Sequence, residues 1–323
     1  MQAPSDLPRD LPKEVLEIRE DIRTMRIRGA GRIARAAAIA LSKAAAAFVG
    51  NDADEFAKYM EETAAFLRGA RPTAVSLPNA ISFVMRRLRE VGIATVEEGR
   101  KAVEEAAKEF VEYSERAVDE IGELGARRFR SGDVVMTHCH SSAAAAVLAA
   151  AHRAGKVDRV YVKETRPRLQ GLIAARVLAD AGLDVILIPD SAVRYFMKDV
   201  DRVIVGADAV AANGAVVNKV GTSVVALAAK EARVNFYVAA ETYKFSFETL
   251  TGELVPQVVL SDASLVAPPR RMARLTGRAV VRAPVFDVTP AEYIDAIITE
   301  RGVISPYAAP LILLEEYGVS AWD

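Results

Sequence analysis

Cysteine and histidine are scarce in this chain. Cys139 is the one thiol, and the histidines number three, His138, His140 and His152. A single thiol cannot close a disulfide within the chain, which argues against a disulfide-stapled secreted domain. His138 and His140 flank Cys139, but neighbours on an extended segment point to opposite faces, and no usual metal-ligand spacing can be assembled. No metal and no organic cofactor is therefore expected. Net charge is lacking too, with 42 Lys and Arg against 43 Asp and Glu, a balance of -1. No global field recruits nucleic acid or an anionic membrane, and neither is an expected partner. The longest apolar run, residues 143–151, is far short of the roughly 20 residues that a spanning helix needs. The opening MQAPSDLPRDLPKEV has no apolar signal core, so a cytoplasmic location is expected. Asn and Gln are few beside Ala, Arg and Glu, a bias that leans towards a thermophilic source.

Hydrophobic residues make up 51% of the 323 positions, enough for large cores, and the length suggests two domains. The pattern changes near residue 130. Before it, apolar residues recur at helical spacing over 11–25, 32–49, 54–67, 78–91 and 96–129, with Gly and Pro punctuating the breaks. After it, short apolar runs at 134–137, 159–162, 184–188, 202–205 and 235–239 alternate with helical segments. Such alternation builds a parallel sheet covered on both faces. The expected fold class is α/β, with a helical domain over 1–130 and a doubly wound, Rossmann-like parallel-sheet domain over 131–323. Ligands in such sheets bind at the C-terminal strand ends.

Those ends carry the chemistry. One strand runs into Thr137-His138-Cys139-His140-Ser141-Ser142, the next into Lys163-Glu164-Thr165-Arg166. Others end in Gly206-Ala207-Asp208 and in Ala240-Glu241-Thr242-Tyr243-Lys244. Cys139 precedes a helix, a position that lowers a thiol pKa and would make a base; a buried, inert cysteine is the alternative. Asp208 sits among apolar neighbours, which would raise its pKa and suit a general acid; a cap is the alternative. Asn213-Gly214 makes a tight turn, so 215–217 returns as a strand carrying Asn218 and Lys219. These two and Lys244 are donors, or simply solvated loop residues.

In the helical half, Arg28-Gly29-Ala30-Gly31-Arg32-Ile33-Ala34 matches the dinucleotide fingerprint formally, but no strand precedes it. Glycine amides before a helix, flanked by arginines, make a phosphate cradle instead, or an ordinary turn. Arg71, in the rigid Arg71-Pro72-Thr73 turn, would hold a second phosphate or lie on the surface. The basic stretch 264–278 reads as a surface or subunit contact.

Six separated motifs occur in order: Arg28-Gly29-Ala30-Gly31-Arg32-Ile33, Arg71-Pro72-Thr73-Ala74-Val75, Thr137-His138-Cys139, Glu164 through Gly171, Gly206-Ala207-Asp208, and Asn218-Lys219-Val220-Gly221-Thr222. Together, over about 22–317, the chain resembles the superfamily of sugar-phosphate isomerases related to the regulatory subunits of translation initiation factor 2B. Three branches compete. The non-catalytic subunits usually carry Ser and Glu where the isomerases carry the Cys and Asp matched by Cys139 and Asp208. Methylthioribose 1-phosphate isomerases typically read Pro-Ala where this chain has Gly31-Arg32, and Asn-Ala-Gly where it has His140-Ser141-Ser142. Both departures are similar to the archaeal ribose 1,5-bisphosphate isomerase branch, and Arg32 suits a substrate with two phosphates. The resemblance implies an aldose–ketose isomerase making ribulose 1,5-bisphosphate in archaeal AMP and nucleoside breakdown that feeds Rubisco. It implies Cys139 and Asp208 as the catalytic pair. Arg28, Gly29, Ala30, Arg71, Ser141, Asn218, Lys219 and Lys244 would hold the sugar bisphosphate. It further implies a homohexamer, as a trimer of dimers, and AMP as an activator. A non-enzymatic scaffold that binds a nucleotide or sugar phosphate is the alternative of a different class.

Overall fold

The computed structural model describes residues 11–71, 74–246, 259–260, 266 and 280–317. The basic stretch 264–278 thus lies outside the described residues, apart from the backbone turn at Val266. The chain divides into two compact units, Met1–Arg116 and Ala117–Asp323.

The first unit is helical, with α1 (Lys13–Arg23), α2 (Ala30–Ala47), α3 (Ala53–Arg68), α4 (Ser76–Val91) and the first part of α5 (Val96–Ala126). Local signals set the ends. Asp52 caps α3 by accepting from the Glu55 amide at 2.9 Å. Before α5, Thr95 Oγ1 accepts from the Glu98 amide while Glu98 Oε2 accepts from the Thr95 amide, a reciprocal capping box. Helix α2 buries a face of alanines with Ile33 and Leu41, and α4 buries Leu77, Ile81, Val84, Met85 and Leu88. The small α2 side chains let its neighbours approach closely.

The second unit is built on β1 (Asp133–Thr137), α6 (Ser142–Arg153), β2 (Val157–Lys163), α7 (Gln170–Asp180), β3 (Asp184–Ile188), the short α8 (Val193–Phe196), β4 (Arg202–Gly206), β5 (Ala209–Ala211), β6 (Val216–Lys219), α9 (Thr222–Ala232), β7 (Asn235–Ala239) and β8 (Phe245–Ser246). It ends with β9 (Val259–Leu260), β10 (Ala283–Pro284), β11 (Phe286–Thr289), β12 (Ala296–Thr299), β13 (Gly302–Ile304) and α10 (Ala309–Tyr317). Seven strands form the main sheet in the order β13-β12-β7-β4-β1-β2-β3. All its pairings are parallel except that of β13 with β12. The expected doubly wound α/β sheet is what forms.

Strand alternation sorts two cores. Met136, Val203, Val205, Phe236 and Val238 enter one, while Val135, Ile204, Tyr237 and Ala239 enter the other. Beside the main sheet lies a four-stranded sheet, β11-β6-β5-β8. Its β5–β6 hairpin turns at Asn213-Gly214, where Gly214 has φ 82° and Asn213 Oδ1 accepts from the Ala215 amide. The strand carrying Asn218 and Lys219 is therefore as expected.

At the opposite end of the sheet, a buried ion pair sets the register of the central strands. Arg202 Nε donates to Asp133 Oδ2 at 2.6 Å, and its Nη1 reaches Asn235 Oδ1 and Tyr237 Oη. This ties the starts of β1, β4 and β7. Arg202→Met would strand a buried carboxylate, at a cost of about 3 kcal/mol or more. Thermal unfolding of that variant should begin several degrees lower than in the unsubstituted protein. An unchanged midpoint would show that the pair is dispensable.

Candidate active site

Strands β2 and β3 extend the sheet on one side of β1, and β4 lies on the other. The connections that follow β1 and β4 therefore diverge and leave a crevice at their C-terminal ends, where doubly wound sheets bind ligands. Cys139 follows β1 and Asp208 follows β4. Their loops can meet because Gly206 has no side chain. A Cβ there would lie 2.3 Å from Ser141 Oγ. Ser141 in turn caps α6, its Oγ accepting from the Ala144 amide at 3.2 Å.

Cys139 occupies the left-handed region, with φ 66°, and so does Thr165 after β2, with φ 61°. Such backbone is strained for side chains other than glycine and clusters at functional sites. The Cys139 thiol is half-buried. Its pKa differs from the lowered value expected from its place before a helix. Burial pushes it up to about 11, with smaller rises from Asp208 and Asp190, while Lys219 and the His140 backbone pull the other way. The first turn of α6 is capped by the Ser141 hydroxyl, so desolvation and carboxylates outweigh the helix end. Asp208, half-buried, donates its backbone amide to Val217 O at 2.9 Å. The β6 strand is thereby held against the end of β4, which brings Lys219 into the same electrostatic neighbourhood.

Lys219 is buried, with Nζ 4.6 Å from the centroid of the Phe286 ring. Asn218, also buried, donates to Thr222 Oγ1 at 3.1 Å. Lys244 is buried as well and pairs with Glu241, its Nζ 2.5 Å from Oε2. Tyr243 Oη donates to the other Glu241 oxygen. Lys244 thus arrives at the sheet edge with its charge already matched by an acid.

In the first unit, Gly29 stands at the N-terminus of α2 with φ 88° and open space around it. Arg28 is exposed and curls back to donate to Met25 O at 2.6 Å. Ala30 O accepts from the buried Ser76 hydroxyl at 2.9 Å. Arg71 is half-buried, and Pro72 and Thr73 of its turn lie outside the described residues. The residues of the expected phosphate cradle thus stand at the N-terminus of α2, where an anion would meet backbone amides.

Next to Cys139 lies a polar cluster whose members the sequence places at strand ends without giving them a role there. His138, Lys163 and Thr165 are all buried. His138 Nε2 lies 2.9 Å from Val220 O. Burial and the nearby Lys163 charge lower its pKa to about 3, so the ring is neutral. Its Nε2–H then donates to that carbonyl, leaving Nδ1 as an acceptor. Lys163 Nζ donates to Gly221 O at 3.2 Å and lies 3.8 Å from Asp190 Oδ1. Asp287 accepts from the Gly221 amide and from the Ser223 amide and hydroxyl, sealing the N-terminus of α9. Burial raises the Asp287 pKa. Among the described residues no group of three or more His, Cys, Asp or Glu could hold a metal ion. No described helix is long and apolar enough to cross a membrane.

The model of the initiation factor 2 subunit family matches residues 26–306, and the chain belongs to that family. A protein named ribose 1,5-bisphosphate isomerase from Thermococcus kodakarensis is 51% identical over 95% of each chain. A methylthioribose-1-phosphate isomerase from Acetivibrio thermocellus is 37% identical, covering 91% of this chain and 89% of that one. Among solved structures, the translation initiation factor eIF-2B of Pyrococcus horikoshii OT3 superposes with a TM-score of 0.76 at 32% identity, over 92% of this chain and 98% of the other.

Two measurements follow from the electrostatics. The rate of Cys139 alkylation by iodoacetamide should climb about tenfold per pH unit from 7 to 10 without a plateau. Asp208→Asn removes a carboxylate that raises the thiol pKa, so alkylation at pH 8 should accelerate several-fold; a plateau near pH 8 in the unsubstituted protein would contradict the raised pKa. His138 binds its proton more readily unfolded than folded. Its contribution to stability is fully present above pH 6.5 and drains away as pH falls towards 3, a loss of a few kcal/mol at most. Urea unfolding of His138→Gln should show a weaker decline across that window.

Proposed function

We propose that this protein is an aldose–ketose isomerase that converts ribose 1,5-bisphosphate to ribulose 1,5-bisphosphate. The observation that carries the reading is the 51% identity, nearly end to end, with a protein of that name, against 37% for a methylthioribose-1-phosphate isomerase. Gly31-Arg32 and the thiol–carboxylate pair agree with it.

In the mechanism, Asp208 in its protonated form donates to the ring oxygen as the furanose opens. Cys139 as thiolate removes the proton on carbon 2, giving a cis-phosphoenolate. A proton returned to carbon 1, with loss of the carbon 2 hydroxyl proton, gives the ketose. Each proton transfer is worth roughly 10²–10⁴-fold. A thiol with a carboxylate and a thiolate with a carboxylic acid carry the same total charge, so a single proton exchanged between Cys139 and Asp208 converts the resting pair to the reacting one. Lys219 favours the thiolate. Within the second unit, Ser141, Asn218, Lys219 and Lys244 hold sugar oxygens and phosphate. The protein works in the cytoplasm as a homohexamer, a trimer of dimers, with AMP as an activator.

The test is to incubate the protein with α-ribose 1,5-bisphosphate and, separately, with methylthioribose 1-phosphate, and to follow ketose formation by NMR. Turnover of the bisphosphate alone is expected. Turnover of the methylthio sugar alone would transfer the protein to the other branch, and binding without turnover would make it a regulatory scaffold. Cys139→Ser should lower turnover of the bisphosphate by at least about 10³-fold while KM stays within a factor of a few, since a hydroxyl is far too weak an acid to yield the base.

A further inference from the structure

The left-handed conformation of Cys139 needs a cause. A residue with a side chain at φ 66° is held there only when its surroundings over-determine it, because its Cβ crowds the backbone in that conformation. One contact supplies the constraint. The Cys139 amide donates to Thr165 Oγ1 at 3.0 Å. Thr165 is itself fully buried and left-handed, and its amide donates to Asp190 Oδ1 at 3.1 Å. Its hydroxyl proton has two acceptors in reach, His138 Nδ1 at 3.3 Å and Lys163 O at 3.2 Å. The neutral His138 ring is pinned on its far side by Val220 O. Gly221 closes the cluster, since a Cβ there would lie 3.2 Å from Lys163 Nζ and 3.3 Å from the His138 ring. One hydroxyl thus joins the loops after β1 and β2, and its partners reach the segments before α8 and α9.

We propose that Thr165, backed by His138, is the positioning residue that holds Cys139 in its left-handed conformation and so aims the thiol for proton abstraction. This rests on the role given to Cys139 above. The charges that face the thiol are Lys219, Asp208 and Asp190. Their effect depends on where the loop places the sulfur. A loop released from Thr165 lets water reach the sulfur and moves it out of this arrangement, so reactivity and catalysis part company.

Thr165→Val keeps the shape and removes the hydroxyl, and Thr165→Ser restores it. In Thr165→Val, kcat should fall 10- to 100-fold with KM within about twofold, a loss confined to the transition state. Alkylation of Cys139 in the ligand-free protein at pH 8 should become at least threefold faster, as the thiol moves towards an ordinary pKa of roughly 8.5. Thr165→Ser should recover both. A slower enzyme with a more reactive thiol is not what general loosening predicts for a binding site, because KM would rise with it. Unchanged kcat and alkylation in Thr165→Val would overturn the proposal, as would failure of serine to rescue. Should the valine variant not fold, Thr165→Ala is read in the same way against Thr165→Ser. The alkylation arm needs no substrate, so a protein that turns over neither sugar, or a fully active Cys139→Ser, would count against the proposed activity while leaving this arm to judge Thr165.

Discussion

The order of strands around β1 is the constraint on which the rest of the second unit depends. Because β2 pairs with one edge of β1 and β4 with the other, the loops leaving β1 and β4 part in opposite directions. A crevice opens where they separate. The parallel register is fixed at the far end by the buried Arg202–Asp133 pair, and at the near end by the absence of a side chain at Gly206. These two features decide whether a thiol after one strand and a carboxylate after the next can act on one another. Moving either strand by a residue would turn its inward side chains to the opposite face and take the loop with it.

Around that crevice, charge is kept largely balanced. Lys163 faces Asp190 and Lys244 faces Glu241, all but Asp190 buried. Buried cations without such partners would pay a heavy desolvation penalty. Lys219 lies over the Phe286 ring, whose π face attracts its charge. Its charge also acts on the thiol and favours the thiolate. Burial, helped by Asp208 and Asp190, keeps Cys139 protonated in the ligand-free protein, which also guards a nucleophilic sulfur from oxidation and alkylation until its surroundings change.

Much of this architecture was legible in the sequence. The strands at 184–188 and 235–239 were read to the residue, as apolar runs bounded by turn residues, and the Asn213-Gly214 hairpin follows from its turn chemistry. The segments beyond residue 280 were not, because their runs are short. Phe286–Thr289 mixes one acid among apolar residues, and it becomes a strand only by pairing antiparallel with β6. The site divides in the same way. Cys139 and Asp208 stand at strand ends that periodicity can locate. The raised thiol pKa could not be anticipated from the helix that follows, because its main cause is burial, which only the fold creates, and the charges that modify it, Lys219, Asp208 and Asp190, come from other strands. Thr165, His138 and Lys163 stand at the same strand ends, but nothing in the sequence says that they pack into one buried cluster.

The family contains proteins named as isomerases and as initiation factors on one architecture, so the sheet alone cannot decide between them. On the proposed mechanism, what decides is whether the residue after β1 can yield a base. A thiol held near pKa 11 is deprotonated in about one molecule in ten thousand at pH 7, yet that small fraction is a strong base, and a nearby carboxylate can take the displaced proton without a change in total charge. A hydroxyl in the same place would be several pKa units weaker as an acid, and the corresponding alkoxide would be inaccessible under the same field. The same crevice, strand order and glycine would then still hold a sugar phosphate but have no means of moving its proton. On that mechanism, whether such a fold isomerises its ligand or only binds it rests on one sulfur atom and on the hydrogen-bonded loop that presents it.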